Sequence, residues 1–213
     1  MKKGLTEIVF IIDRSGSMGG LEGDTIGGYN SFIKRQQAEG DALLSTVLFS
    51  SDCEVIHDRI PIEQAEPMNE KQYQVGGCTA LLDAIGGAIH HIGTIHRYAR
   101  EEDRPEKTIV VITTDGMENA SRRYTYDKVK KMVTRQTDKY GWEFLFLGAN
   151  MDAIAAAGRF GIQEDRAVRY HSDSIGTQLN YMAVSAVVTR MKKLPDRMDG
   201  SWKEEIEKDY RSR

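Results

Sequence analysis

Four short runs of apolar, largely β-branched residues punctuate the chain: Ile8 to Ile12, Leu43 to Phe49, Thr108 to Ile112 and Phe144 to Leu147. None alternates with polar residues, so each predicts a central strand of a parallel sheet covered on both faces. Cys53-Glu54-Val55-Ile56-His57 does alternate, and it follows the second run after a Ser-Ser-Asp turn. It predicts an antiparallel edge strand. Ala167 to Tyr170 predicts a short strand at the other edge.

The segments between have helical period. Ile26, Tyr29, Phe32 and Ile33 make one stripe, and Leu82, Ile85, Ile89 and Ile92 a second. Val129, Met132, Val133 and Gln136 make a shorter one, and Met151 to Gly158 is a brief alanine-rich helix. Ile175, Leu179, Met182, Ala186 and Val187 predict the buried stripe of a last long helix that Pro195 ends. Strands alternating with helices predict an α/β fold. The expected architecture is a doubly wound, Rossmann-like three-layer sandwich with a mostly parallel sheet and one antiparallel edge strand. Residues 1–195 read as one domain. Residues 196–213 read as a charged tail or terminal helix, with Trp202 and Ile206 as its few apolar side chains.

Composition narrows the function classes. The chain has 213 residues, enough to bury a core without disulfides or metal. Its 29 basic and 32 acidic side chains leave a net charge of −3, without the basic excess of a nucleic-acid or anionic-membrane binder. Two cysteines, Cys53 and Cys78, make no disulfide framework. The N-terminal apolar stretch stops at Asp13, too soon for a secretion signal, and later stretches are broken before membrane-spanning length. A soluble, cytoplasmic protein is the expectation.

In open α/β sheets, ligands sit beyond the carboxyl ends of the strands where strand order reverses. Two predicted strands end in Asp13-Arg14-Ser15-Gly16-Ser17-Met18-Gly19 and Thr113-Thr114-Asp115-Gly116-Met117-Glu118-Asn119. A third polar loop, Gly76-Gly77-Cys78-Thr79, leads into a helix. The carboxylates of Asp13 and Asp115 and the hydroxyls of Ser15, Ser17 and Thr79 form an all-oxygen set suited to Mg2+, Mn2+ or Ca2+. With few carboxylates, Mg2+ keeps waters and can accept an outside anionic oxygen. Taken singly, Thr79 reads more readily as a helix N-cap than as a metal ligand, and each aspartate could be a turn residue. The histidines of one predicted helix, His90, His91 and His96, lack the i, i+4 spacing of a zinc pair, and His57 and His171 stand apart. The glycines between 16 and 28 fit no nucleotide-binding motif. Cys78 reads as an inert small residue.

Asp-Arg-Ser-Gly-Ser-Met after a strand, Gly-Gly-Cys-Thr-Ala-Leu-Leu-Asp-Ala-Ile, and Ile-Thr-Thr-Asp-Gly-Met-Glu-Asn-Ala-Ser together resemble a von Willebrand factor type A domain. The likeness runs over about residues 5 to 194, as in a stand-alone bacterial or phage-type version. In that family D-x-S-x-S, a later threonine and a later aspartate form the metal-ion-dependent adhesion site, and Asp13, Ser15, Ser17, Thr79 and Asp115 match it. The resemblance implies direct ligation by Ser15 and Ser17, ligation by Thr79 in the competent state, and Asp13 and Asp115 acting directly or through water. A partner's Asp or Glu completes the coordination. Cys78, before the threonine, departs from the small residue usual there. Arg14, Met18, Met117 and Glu118 are expected to line the rim.

Related bacterial domains often work beside AAA+ ATPases of the MoxR type, so the resemblance implies a protein partner, with such an ATPase system as a candidate; the charge balance implies neither a nucleic-acid nor a membrane partner. Two other classes compete. One is a Mg2+-dependent phosphoryl-transfer or hydrolytic enzyme with Asp13 as nucleophile, although the haloacid-dehalogenase pattern wants an aspartate where this chain has Ser15. The other is a scaffold with an incidental metal. The expectation is a non-enzymatic interaction module.

Overall fold

The computed structural model describes residues 1–149, 151–193 and 199–213. Six strands form one sheet: β1 (Lys2–Asp13), β2 (Ala42–Phe49), β3 (Cys53–Pro61), β4 (Pro105–Thr114), β5 (Glu143–Ala149) and β6 (Ala167–Tyr170). The helices are α1 (Glu22–Gln37), α2 (Leu81–Tyr98), α3 (Tyr126–Tyr140), α4 (Ala153–Phe160), α5 (Ser174–Lys193) and α6 (Glu204–Ser212). Strand order is β3-β2-β1-β4-β5-β6, and only the β2–β3 pair is antiparallel. The expected fold class and both edge strands are therefore present. Among the described residues, no helix is long and apolar enough to cross a membrane.

Each sheet face carries its own core. Ile8, Phe10 and Ile12 of β1 pack with Tyr29, Phe32 and Ile33 of α1 and Val184, Val187 and Val188 of α5. Val9 and Ile11 point the other way, among Leu82, Ile85, Ile89 and Ile92 of α2 and Val129 and Val133 of α3. A strand whose alternate residues meet helices on both sides has no use for polar alternation, which is why these runs are continuously apolar. Helix ends follow local chemistry. Thr125 caps α3 by accepting from the Lys128 amide, and Gly141, at φ +67°, stops it in the left-handed conformation that glycine adopts without strain.

The stripe expected for α5 is turned outward. Ile175 and Met182 are 56% and 60% exposed, and Ala186 is exposed. The buried side is instead Thr177, Tyr181, Val184, Val188 and Met191, joined by Val187. The reason lies on α1. A Cβ on Gly28 would sit 2.2 Å from the Tyr181 ring, so the missing side chain makes the slot that draws the Tyr181 face inward. Pro195, expected to end α5, lies outside the described residues. α6 packs on β6 and α5, with Ile206 buried.

At the opposite pole from the strand-end loops, Glu7 is wholly buried. Arg59 Nε donates to both its oxygens at 2.9 and 3.0 Å, and His96 Nε2 lies 3.1 Å away. Arg59 reaches it from a bulged stretch of β3 with a left-handed φ of +50°.

Candidate metal centre

β1 and β4 lie side by side, Ile12 opposite Thr113, so their carboxyl ends deliver Asp13 and Asp115 to one spot where strand order reverses. Asp13 is fully buried and fixed at both oxygens. Oδ1 accepts from the Ser15 amide at 2.7 Å, and Oδ2 accepts from the Thr114 hydroxyl at 2.6 Å. Its carbonyl accepts from the Tyr73 hydroxyl at 2.5 Å. The chain then makes a tight 3-10 turn, Gly16–Met18, which brings Ser15 Oγ and Ser17 Oγ within 3.2 Å. Ser17 Oγ donates to Asp115 Oδ1 at 2.5 Å, joining the two strand ends.

The third loop is held by the other two. Gly16 N–H donates to the Gly77 carbonyl (3.1 Å) and Gly76 N–H to the Arg14 carbonyl (2.9 Å). The Ser51 hydroxyl accepts from the Cys78 amide at 2.9 Å. Gly77 has φ +79°, and a Cβ there would meet Ser51 Oγ at 2.7 Å, so this turn requires glycine.

Thr79 is not the helix cap it could have been. The residue flanking α2 is Ala80, with no side-chain cap. Glu118 Oε2 accepts from the Leu82 amide instead, at 2.8 Å, and Asn119 Oδ1 accepts from the amide of Thr79 at 2.8 Å. The Thr79 hydroxyl is thereby spared. It lies 2.9 Å from where a Cβ on Gly116 would stand, and Ser17 Oγ lies 3.4 Å from that point. The structure thus brings all five expected side chains, Asp13, Ser15, Ser17, Thr79 and Asp115, to one strand-end cluster. Ser17 alone of the five is exposed.

Two acidic groups lie in this cluster. Burial pushes the Asp13 carboxyl above its usual range, against its hydrogen bonds from Thr114 and Ser15, and the nearby Asp115 raises it further. Burial likewise raises Asp115, opposed first by the Ser17 hydrogen bond. Asp115 Oδ2 is buried and accepts no hydrogen bond of good geometry, although the Ser172 hydroxyl is near enough to Asp115 to favour its charged form. A buried carboxylate oxygen left this way costs on the order of 1–3 kcal/mol unless something electropositive meets it. The donor set of two carboxylates and three hydroxyls fits a hard divalent cation, and this oxygen gives that cation an anchor. Among the described residues no three His, Cys, Asp or Glu side chains cluster as a conventional metal group, because this set draws on hydroxyls.

Two rim expectations need correction. Glu118 is committed, since its carboxylate also accepts from the amides of Ala120 and Ser121 and from the Ser121 hydroxyl. Met18 is buried, 3% exposed. Arg14 is tied to Glu54 at 2.6 Å, while Met117 stands 63% exposed. Sequence reasoning missed Thr114, Tyr73 and Asn119 as supports. Thr114, directly before Asp115, was signalled by its place at a buried strand end; the other two carried no signal. Cys53 and Cys78 are both free.

No family model matches the sequence, and no curated protein matches it either. Solved structures do. The von Willebrand factor domain of the type V pili tip protein Mfa5 from Porphyromonas gingivalis is 10% identical, with TM-score 0.61, over 91% of this chain and 98% of that one. Proximal thread matrix protein 1 from the mussel byssus is 16% identical, with TM-score 0.58, over 88% of this chain. This chain matches only 47% of the mussel protein's length. The mussel protein is also known with zinc in its MIDAS motif; that form is 14% identical here, with TM-score 0.57, over 88% of this chain and 46% of that one. The ArnB paralog VWA2 from Sulfolobus acidocaldarius is 19% identical, with TM-score 0.53, over 86% of this chain and 44% of that one. The fold is that of a von Willebrand factor type A domain.

Proposed function

We propose that this protein is a metal-dependent interaction module that captures an Asp or Glu of a partner protein at the strand-end cluster. Ser15, Ser17 and Thr79 would hold a divalent cation, Mg2+ or Mn2+ before Ca2+, together with Asp13 and Asp115. When bound, the cation supplies an electrophile with positions open to an outside carboxylate. The chain's own residues prepare that site. Thr114 and the Ser15 amide stop Asp13 from rotating, while Glu118 and Asn119 take over the capping work and leave the Thr79 hydroxyl available. The observation that carries the reading is the buried Asp115 Oδ2, which accepts no hydrogen bond of good geometry, beside three converging hydroxyls. The mussel and pilus proteins of the same fold support an adhesive role.

The hydrolase alternative is weaker. The haloacid-dehalogenase pattern wants a second aspartate two residues after the nucleophile, and this chain has Ser15 there. Calorimetry with MnCl2 and MgCl2 tests the site: Asp13→Ala and Asp115→Ala should lose binding while circular dichroism stays unchanged. Equal affinity in both variants would place the cation elsewhere. Partner capture from a lysate should then fail in EDTA and with Thr79→Ala, and capture that survives both would refute the mechanism.

A further inference from the structure

α5 carries a second apolar face that its own domain does not use. Ile175, Leu179, Met182 and Ala186 follow one another at intervals of 4, 3 and 4 residues, the spacing of a coiled-coil seam. Ile175, Met182 and Ala186 are exposed and Leu179 is half-buried, while the Tyr181 and Val184 side of the helix fills the core. Eleven steps of about 1.5 Å rise, from residue 175 to residue 186, make the seam about 16 Å long. Isolated exposed apolar side chains are ordinary; three in register along one helix, with a half-buried leucine between them, are not.

The surroundings of the seam are polarised. α1 and α5 run side by side in the same direction, tied by Ser174 Oγ to Asp24 Oδ1 (2.8 Å) at one end and Gln36 Nε2 to Thr189 Oγ1 (2.9 Å) further along. Glu22 and Asp24 lie in the first turn of α1, and Lys34 and Arg35 in its last. At the same end, Arg190 and Lys193 of α5 are paired with Asp199 and Glu39, so the basic character there rests on Lys34 and Arg35. One end of the face is thus acidic and the other basic.

We propose that the occupant of this seam is a second copy of the same chain, packed antiparallel about a two-fold axis. Antiparallel pairing sets each acidic end against the partner copy's basic end, whereas a parallel pair would oppose like charges along the whole face. The centre of the seam falls between Leu179 and Met182, so residue 175 of one copy meets residue 186 of the other. Four seam side chains cover far less than the roughly 800 Å² per partner of a stable interface, so the association is weak. Because α5 starts at the end of the sheet that carries the strand-end loops, the two clusters of such a dimer look in opposite directions. The pairing itself needs no cation.

Sedimentation equilibrium on the full chain, from dilute solution up to about 1 mM, should show mass rising toward the dimer, equally with and without EDTA. Met182→Glu should remain monomeric with an unchanged circular dichroism melt. In a Cys53→Ser, Cys78→Ser background, oxidising a mixture of Ile175→Cys and Ala186→Cys should give a disulfide-linked heterodimer, while neither variant alone cross-links. A monomer throughout the range, a dimer undisturbed by Met182→Glu, or self-linking of Ile175→Cys would overturn the proposal. None of these results bears on cation binding, whose calorimetry is a separate measurement.

Discussion

Gly116 gives the most direct test of how the cluster is built. Its φ does not demand glycine, so alanine strains no backbone there; what alanine meets is the site itself. The new methyl would stand 2.9 Å from Thr79 Oγ1 and 3.4 Å from Ser17 Oγ. To reach ordinary contact the threonine hydroxyl must retreat by about 0.5 Å. Mg2+ wants oxygens at about 2.0–2.1 Å in near-ideal geometry, with a tolerance of about 0.2 Å, so the retreat takes Thr79 out of reach. Losing the position of one neutral donor, with both carboxylates in place, should weaken Mn2+ or Mg2+ binding about 10–100-fold, or about 1.4–2.7 kcal/mol. The melting temperature should move by only about 2–4 °C, because the shift is confined to one side chain at the strand-end cluster, outside the apolar core. Calorimetric titration of Gly116→Ala beside Gly87→Ala provides the control. Nothing lies within 4 Å of a Cβ on Gly87, so that helical substitution should leave binding alone and stabilise the fold by about 0.4–1 kcal/mol. If Gly116→Ala binds Mn2+ within twofold of the parent, Thr79 does not take part and the assignment of the cluster is wrong.

Three further outcomes follow from the contacts described. Glu7→Gln leaves Arg59 facing a neutral amide; because that guanidinium is one-fifth exposed and can turn to water, the loss should be about 2 kcal/mol, read as a fall of about 4–8 °C in a thermal melt, and no change in Tm would show the pair to be idle. Glu118→Ala removes the acceptor of the Leu82 amide and frees the 118–121 loop, so stability should drop by about 1–2 kcal/mol and cation affinity should fall although no proposed ligand is altered; an intact affinity would mean that the loop does not position Thr79. Cys53 is solvent-exposed, yet partial desolvation of its thiol and the nearby Asp83 and Asp52 carboxylates raise it from the usual 9.0 to about 11, cutting its thiolate at pH 8 about a hundredfold, so peptide mapping after iodoacetamide should find Cys53 largely unmodified until the pH approaches 11; labelling at the rate of a free thiol would show that its exposure outweighs both effects.

The strand-end residues were legible because type and spacing coincide: carboxylates just past buried strands, hydroxyls two residues apart, and a threonine ahead of a helix. What makes Thr79 available was not. It depends on Glu118, 36 residues from the Leu82 amide that it caps, and no local pattern announces that exchange. The α5 stripe was misread for a related reason. Residues 175, 179, 182 and 186 and residues 177, 181, 184 and 188 both satisfy a helical period, and the choice between them is made by the absent side chain of Gly28 on another helix. Glu7 was equally opaque, because a charge beside an apolar run reads as a solvated strand end until Arg59 and His96 are seen to close over it.

The two margins of the sheet are defended against runaway pairing by different means. β6 is only four residues long, and Lys203, ahead of α6, donates to the carbonyl of Ala167 at 2.9 Å, so that rim offers little free ladder. Among the described residues β3 has no such cover. Its protection is distortion and polarity: the register slips twice against β2, Arg59 bends the strand at φ +50°, Glu54 and Asp58 put half-exposed carboxylates, paired with Arg14 and His91, along it, and Pro61 offers no amide. The Glu7–Arg59 pair holds that distortion in place. Loosening it should therefore do more than lower a melting point: a straightened β3 becomes a template for another chain's strand, and aggregation on gentle heating should begin at this edge.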